Sequence, residues 1–555
     1  MSQSSRTQIL IILTGALLFI PFLGQVHLFD WDEINFAEAA REMLVTGDYL
    51  NVQINFQPFW ENPPLFIWMQ ALSMNIFGIN EFAARFPNAL CGIITLLVLY
   101  NMGKKVRNHS FGLYWVIAYA GSILPFFYFK SGIIDPWFNL FIFLGIYFFI
   151  LYEHEQKDSK RILHIVLSAA GIGLAILTKG PVGLLIFGLT ALIYLIIRKF
   201  YFTIKLRDVL LYIVIVILIG GFWFLLQLLN GNFDIIRDFI VYQIDLFQSE
   251  GAGHGGFLFY HWVVLLIGVY PASILGIKGF SGKLSDNDNF FQKNFRMWMI
   301  ILFFTVLILF TIVNTKIVHY SSMCYFPLTF LAAHVIYKIS HERRSFSRKW
   351  FIGLLILALL YTLIIAALPV IDAFKHTVIQ QGWIRDPFVI GNLHASPHWS
   401  GFEALTGLLL MAGILVSVRF FRQQQIPKAF ISLFVSAMIF TYVTLGVITP
   451  KIEKYTQHAV IEFYQQLQGK DVYVDPLGFK SYAHLFYTRK QGLDDPRSVN
   501  EKWLLTGDID KRAYFVMKVH KADSFLNKYP QLQRVYQKNG FVFAVRNPQK
   551  EKMHD

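Results

Sequence analysis

The chain reads as a polytopic α-helical membrane protein of about thirteen spans with a small α/β domain at its C-terminal end. Three observations predict this. Hydrophobic residues make up 55% of the sequence and charged residues 15%, against about 25% charged in a soluble domain. The apolar excess comes in blocks, among them "ILIILTGALLFIPFLG", "FNLFIFLGIYFFILY" and "VLLYIVIVILIGGFWFLLQLL". After Pro450 the texture changes to short alternating stretches separated by polar, helix-like segments.

Runs near 20 residues with few charges have the length needed to cross a hydrocarbon core of about 30 Å. Lipid offers free backbone groups no partner, so each run is helical. Spans are expected near 8–24, 82–102, 111–129, 135–152, 162–178, 181–197, 208–229, 258–277, 297–313, 320–338, 350–369, 401–418 and 429–448. The first lacks a small-x-small cleavage pattern and reads as a retained span. The apolar stretch Pro63–Phe77 is short and reads as a helix lying along the interface.

Basic residues orient the bundle. They concentrate in "KKVR" (Lys104–Arg107), "KDSKR" (Lys157–Arg161), "RKFYFTIKLR" (Arg198–Arg207), "HERRSFSRK" (His341–Lys349) and "RFFRQQQIPK" (Arg419–Lys428). The positive-inside rule puts these loops and the N-terminus in the cytoplasm, and an odd number of spans puts the C-terminal domain outside. The net charge of +14 is then mainly topogenic, which argues against nucleic acid as a partner. Cys91 and Cys324 both lie in apolar runs, so no disulfide framework is implied.

The chain divides into a membrane part, 1–449, and an α/β domain, 450–555. Strands are expected at "DVYVD" (Asp471–Asp475), "YFVMKV" (Tyr514–Val519) and "FVFAVR" (Phe541–Arg546), between helices such as "IEKYTQHAVIEFYQQLQ" and "ADSFLNKYP". Three outward loops are long: 25–82, 230–256 and 371–400. Their aromatic and apolar residues recur at helical spacing, which predicts order.

The ionisable groups are placed unusually. "LFDWDEINFAEAAREML" sets Asp30, Asp32 and Glu33 just beyond the first span. On the same face lie Glu61 in "WENPPLFIW", Lys130 and Asp135 in "KSGIIDPWFNLF", Lys179 in "LTKGPVGLL" and His254 in "GAGHGG". "NTKIVHY" adds Lys316, His319 and Tyr320. Each has a structural alternative. Asp32 or Asp135 can cap a helix, Lys179 can snorkel to the interface, and His254 can be a solvated loop residue. Taken together they point to a site, because ionisable groups at membrane depth are costly and mark function.

Carboxylates and lysines at one rim of an apolar bundle suit a lipid-phosphate sugar donor. Its tail needs a greasy groove, and its departing phosphate needs cations. The acceptor hydroxyl needs a base, which a carboxylate supplies. A polytopic lipid or sugar transporter or flippase is the alternative, although transporters usually gather charge near the bilayer midplane.

"DEINFAEAAREMLVTGDYL" with "FWENPPLFIWMQALSMNIFGINEFAARFPNAL", followed in order by "IIDPWFNLF", "LTKGP", "HGGFLFYHWVVLLIGVYP" and "NTKIVHYSSMCYFP", resembles the aminoarabinose lipid A transferases. These are relatives of the dolichyl-phosphate-mannose protein mannosyltransferases within the GT-C membrane glycosyltransferases. The resemblance implies a GT-C fold and an inverting transferase in a bacterial inner membrane. It would move one sugar from a polyprenyl (undecaprenyl) phosphate to lipid A, another envelope glycan or a protein. It implies catalytic carboxylates at Asp32, Glu33 and Asp135, with Asp32 activating the acceptor. Donor phosphate would be held by Lys179, Lys316, Tyr320 and Lys130, and a divalent metal, described as zinc, by Glu61 and His254. Two positions depart from the family pattern. Asn62 stands where the Glu-Lys-Pro-Pro motif has lysine, and Asn35 where an arginine is usual. The phosphate must then find other cations.

Overall fold

The computed structural model describes residues 2–29, 31–201, 204–248, 255–281, 287–342, 346–493 and 495–548. The first apolar run forms α1 (Gln3–Phe19), capped by Ser2. The outer segment after it folds into α2 (Asp32–Thr46), a hairpin of β1 (Gln53–Ile54) and β2 (Gln57–Pro58), and α3 (Leu65–Phe77). The Pro63-Pro64 pair leads into α3, since proline suits a helix start. Next come α4 (Glu81–Val106), α5 (His109–Ala120), α6 (Ile123–Tyr128), α7 (Asp135–His154), α8 (Asp158–Lys179) and α9 (Val182–Ile197). Asn80 and Asn108 cap α4 and α5 through side-chain bonds to backbone N–H groups at 2.9 and 3.1 Å.

The pair α10 (Leu206–Gly220) and α11 (Phe222–Leu229) bends by 59°. It leads to the outer helix α12 (Phe233–Gln248). A second pair, α13 (Tyr260–Gly268) and α14 (Ala272–Gly279), bends by 112°. Then follow α15 (Phe290–Ile312), a 3₁₀ turn (Val318–Cys324), α16 (Tyr325–Glu342), α17 (Arg348–Gln380) and the short α18 (Pro387–Leu393). The last apolar helices are α19 (Leu405–Arg422) and α20 (Ile426–Val443), the latter running through a π turn into α21 (Thr449–Lys454).

All thirteen expected spans fall on helices. Among the described residues, eight helices are long and apolar enough to cross a membrane, or up to ten if each bent pair is one span. The other three fall below that length. Pro21 follows the end of α1, α9 begins only after Pro181, and a turn at Gly121-Ser122 separates α5 from α6. The expected loop 371–400 is also partly helical, because α17 continues to Gln380. Loops expected inside meet one another: Arg107 pairs with Asp288, and Asn294 donates to Glu153 at 2.8 Å. The two ends of the bundle are thus segregated by loop set.

The C-terminal part contains α22 (His458–Gln466), β3 (Tyr473–Leu477), α23 (Ala483–Thr488), α24 (Glu501–Thr506), β4 (Ala513–Lys518), α25 (Val519–Lys528), β5 (Gln533–Lys538) and β6 (Phe541–Arg546). Its sheet has the order β3-β4-β6-β5, with β3 and β4 parallel and the other pairs antiparallel. Asn539 and Gly540, with φ of 46° and 77°, close the last hairpin in the left-handed conformation that such two-residue turns require. Strand β5 was not expected from the sequence. It is an edge strand of mostly exposed residues, so it carries no inward-outward alternation.

One face of this sheet does not form a separate core. Val460, Phe463, Val516 and Phe543 pack in one cluster with Leu28, Ile34, Phe36, Phe66 and Ile67 of the first outer segment. The two are joined as a cap on the bundle. The cap is tied down by Arg85 of α4, which is 4% exposed. Its Nε and Nη2 donate to Glu33 at 2.9 and 2.7 Å, and its remaining donors reach the carbonyls of Leu23, Val26 and His27 at 2.7–2.9 Å.

Burial alone would raise the pKa of Glu33. The charge and hydrogen bonds of Arg85, with N–H donors from Phe29 and Gly132, reverse this and hold it below its ordinary 4.5. Two predictions follow from the pair. Arg85→Met strands a buried carboxylate and should cost about 3–5 kcal/mol, with Glu33→Leu in the same chain restoring part of it. Thermal unfolding of the detergent-purified proteins measures both. A depressed carboxyl contributes its full stability above 4.5 and loses it as pH falls through the folded-state value. The wild type should therefore lose more melting temperature than Glu33→Gln on acidification below 4.5.

Candidate active site

Beneath the cap, between the first outer segment, the outer ends of α7–α9, α12, α15 and the C-terminal domain, lies a cavity of about 1100 Å³. Its wall changes character along its length. Phe138, Val182, Ile186, Phe310, Val313 and Met323 make one side apolar. Asp32, Glu61, Asp135, Asp245, Lys179, His319, Lys480 and Lys518, with Tyr242 and Tyr320, supply the charged or titratable groups.

Asp32 is the first residue of α2, and it does not cap that helix: the N-cap is Trp31, with no side-chain cap bond. Its carboxylate is instead 35% exposed and faces His319, whose Nε2 lies 3.5 Å from Asp32 Oδ2 and 3.6 Å from Asp135 Oδ2. Asp135 begins α7, and its Oδ1 accepts from Lys179 Nζ at 2.6 Å. Asp135 Oδ2 is buried without a hydrogen-bond partner among the described residues. Asp32, His319, Asp135 and Lys179 thus form one chain of carboxylates, imidazole and ammonium across the cavity. Lys179 also lies 5.1 Å from the centre of the Tyr320 ring and 5.8 Å from that of Phe138, at the border of the apolar wall.

The turn after Lys179 is constrained. Gly180 has φ of +102°, and a Cβ there would meet the ring of Phe239 on α12 at 2.9 Å. Only glycine lets α12 lie against this turn. That helix brings Tyr242 to the site, where its hydroxyl donates to Glu61 at 3.1 Å. Burial raises the pKa of Glu61 above 4.5. Lys480 and Tyr242 pull it down, and the charge of Asp32 adds to the rise.

Asn35 stands where an arginine was expected. With its amide oxygen toward the indole, it accepts from Trp31 Nε1 and donates to Trp31 O, both at 3.0 Å. The Trp31 ring so held carries the Lys480 ammonium 4.6 Å from its centre. The C-terminal domain therefore brings a cation close to Glu61, the residue before Asn62.

Three expectations are revised by this geometry. Glu33 is spent on Arg85 and backbone N–H groups and does not line the cavity. The Lys316 ammonium caps the end of α15, donating to the carbonyls of Phe310, Thr311 and Val313 at 2.5–3.0 Å, and is 7% exposed. Lys130 donates to the Pro21 carbonyl and lies 5.9 Å from the ring centres of Phe22 and Tyr442. Burial, with the charge of Arg85, lowers its pKa to about 7. Neither lysine lines the cavity.

Of the expected metal pair, Glu61 lines the cavity. His254 and Asp30 lie outside the described residues. Glu61 bonds Tyr242, and among the described residues the three-ligand group close enough to share an ion lies elsewhere. No step below runs through a metal. Tyr242, Lys480 and Lys518 were not anticipated. Tyr242 lay within an amphipathic outer segment that signalled order, but no local pattern in "GFKSYAH" marks Lys480 as a site residue.

Comparison with known proteins adds the lineage. Residues 61–224 match the family model described as dolichyl-phosphate-mannose-protein mannosyltransferase. An undecaprenyl phosphate-α-4-amino-4-deoxy-L-arabinose arabinosyl transferase of Edwardsiella ictaluri is 26% identical over 342 residues, which is 59% of this chain and 60% of that one. An uncharacterised protein of Aquifex aeolicus is 29% identical over 332 residues, 59% of this chain and 73% of its own. The match thus spans 60% of the length of the Edwardsiella relative. The crystal structure of ArnT from Cupriavidus metallidurans bound to undecaprenyl phosphate superposes with a TM-score of 0.76, covering 99% of this chain and 100% of that one at 19% identity. Its apo form gives the same TM-score, 0.76, at 18% identity. At such identity the superposition establishes a shared fold. In sequence and in fold, the chain resembles the GT-C membrane glycosyltransferases of the aminoarabinose-transferase and protein-mannosyltransferase type.

Proposed function

We propose that this chain is an integral-membrane glycosyltransferase. It moves a single sugar, with inversion, from a polyprenyl-phosphate donor to an acceptor on the periplasmic face of a bacterial inner membrane, with thirteen spans and the N-terminus inside. The observation that carries this reading is the cavity itself, with Asp32 and Lys179 at opposite ends of one charge chain and an apolar wall beside the lysine. The ArnT neighbour's bound undecaprenyl phosphate supports the donor class.

The lipid tail would lie along Phe138, Val182, Ile186 and Met323. Its phosphate would meet Lys179 and draw that ammonium away from Asp135. Tyr320 and Phe138 border the same lysine and would fix the donor's height at the interface. The acceptor hydroxyl oxygen attacks the anomeric carbon as its proton passes to Asp32. The bond from that carbon to the phosphate oxygen breaks, and lipid phosphate leaves with the electron pair. His319, close to both Asp32 and Asp135, orients the base and offers a path for the proton toward water. Lys480 would supply a cation in place of the lysine replaced by Asn62. The acceptor is an envelope-glycan, lipid A or protein hydroxyl that reaches Asp32.

Asp32→Asn should lower the transfer rate by about 10²–10⁴-fold, the usual contribution of a general base, while donor binding persists. Single-turnover assays with polyprenyl-phosphate sugar measure this. Mass spectrometry of envelope lipids and glycoproteins with and without the gene identifies the sugar and acceptor. Unchanged transfer in Asp32→Asn overturns the reading. Lys179→Met and Lys480→Ala should each weaken donor binding by about tenfold, whereas Lys316→Met should lower melting temperature and leave donor affinity alone.

Glu61 adds a pH test. A carboxyl whose pKa is raised on folding contributes most below its unfolded value, and that stability is lost as pH rises through the folded value. Glu61→Gln should therefore gain on the wild type in melting temperature as pH rises from 4.5 toward neutrality.

A further inference from the structure

A second cluster of chemically competent side chains lies outside the cavity lining. His27 follows α1, Glu453 lies on α21, and His458 opens α22. His27 Nδ1 is 2.8 Å from Glu453 Oε1, and His458 Nδ1 is 3.0 Å from Glu453 Oε2. The ligand atoms of all three residues lie within 4.8 Å of one another. We propose that His27, Glu453 and His458 bind a divalent transition metal of the zinc class, which staples the start of the first outer segment to the junction between the last membrane helix and the C-terminal domain.

The donor set fits that chemistry. Two imidazoles and one carboxylate, with an open fourth position for water, are a recurrent zinc environment. Tetrahedral coordination needs ligand atoms about 3.3 Å apart; each histidine nitrogen is already that close to one oxygen of Glu453, and the three ligand atoms, within 4.8 Å of one another, close onto an ion by side-chain adjustment. Access differs among the residues in a useful way. The Glu453 side chain is 5% exposed, whereas His27 and His458 are 18% and 35% exposed, so an ion and its water reach the site from one side. Among the described residues, the ion pairs of Glu453 are with these two histidines alone.

The surroundings hold the ligands in place. The His27 carbonyl accepts from Arg85 at 2.9 Å, and the His27 ring stands edge-to-face with Tyr487 at 5.4 Å. The neighbouring Leu28 N donates to the Tyr487 hydroxyl at 2.8 Å, and Gln457 Nε2 donates to Leu28 O at 2.9 Å. Gln465 places its amide 3.3 Å from His27 Nε2. With the amide oxygen turned to that nitrogen, Gln465 accepts from Nε2–H and leaves Nδ1 free to bind metal, the outer-shell arrangement typical of metal-bound histidine. The inference does not depend on the transferase reading.

The rival is a hydrogen-bonded clasp without metal, and glutamine separates the two. Glutamine can still donate to Glu453 but is a poor zinc ligand. The full chain in detergent is stripped with a chelator, dialysed against zinc chloride and analysed for bound metal. The wild type should hold about one more zinc per chain than the His27→Gln/His458→Gln variant. Zinc should raise the melting temperature of the wild type by several degrees and leave that of the variant unchanged. Cobalt should give the visible absorption of a tetrahedral site in the wild type alone. Glu61→Ala should keep this zinc, which separates the site from any ion near the cavity. Equal zinc content in wild type and the double variant overturns the proposal. A zinc-dependent melting shift of equal size in both does the same, and so does loss of zinc in Glu61→Ala with retention in the double variant.

Discussion

All five N–H donors of Arg85 are engaged, two on Glu33 and three on the carbonyls of Leu23, Val26 and His27. The guanidinium is a rigid planar fork, so a fully bonded one fixes the position of everything it touches. What it touches is the exit of the first membrane helix and the start of α2. Glu33 in turn accepts from Phe29 and from Gly132, which precedes α7 by a few residues. A single buried ion pair therefore sets the relative positions of α4, α2 and the start of α7, and hence the separation of Asp32 from Asp135. Both charges are almost wholly removed from water, which makes this pair costly to break from one side and a means of geometric precision.

The cavity has a different electrostatic logic. Four carboxylates, Asp32, Glu61, Asp135 and Asp245, line one space and would repel one another without cations between them. Lys179 answers Asp135, Lys480 answers Glu61, and His319 stands between Asp32 and Asp135. An incoming anion would compete with Asp135 for a lysine already in position. The cation–π contacts from Lys179 to Tyr320 and from Lys480 to Trp31 keep both ammonium groups at the wall when their anionic partners change. Binding and chemistry would then need little rearrangement of the backbone, which suits a cap whose core is shared between the first outer segment and the C-terminal sheet.

Lys480 shows why a one-dimensional reading misses part of a site. The departures at Asn35 and Asn62 were visible, and they implied that cations must come from elsewhere. Lys130 and Lys316 were reasonable candidates, since both sit at the outer ends of helices. In three dimensions Lys316 turns back onto the carbonyls that end α15, where the helix dipole favours a cation, and Lys130 turns to the carbonyl of Pro21. A lysine at a helix end can serve the helix or the solvent, and only packing decides between them. The cation beside Glu61 comes from a segment more than four hundred residues away in sequence from Asp32.

The amino-acid sequence by itself determined the helical membrane bundle, its two unlike rims and the strands β3, β4 and β6, because hydropathy and periodicity are properties of neighbouring residues. It also singled out Asp32, Asp135 and Lys179 as site candidates. Tertiary structure decided which of two adjacent carboxylates enters the cavity. Asp32 and Glu33 project about 100° apart on a helix, so one faces the site and the other the buried arginine. It decided too that the C-terminal sheet completes the wall and that His27 meets Glu453 and His458. Those outcomes rest on contacts between distant segments, which local pattern does not encode.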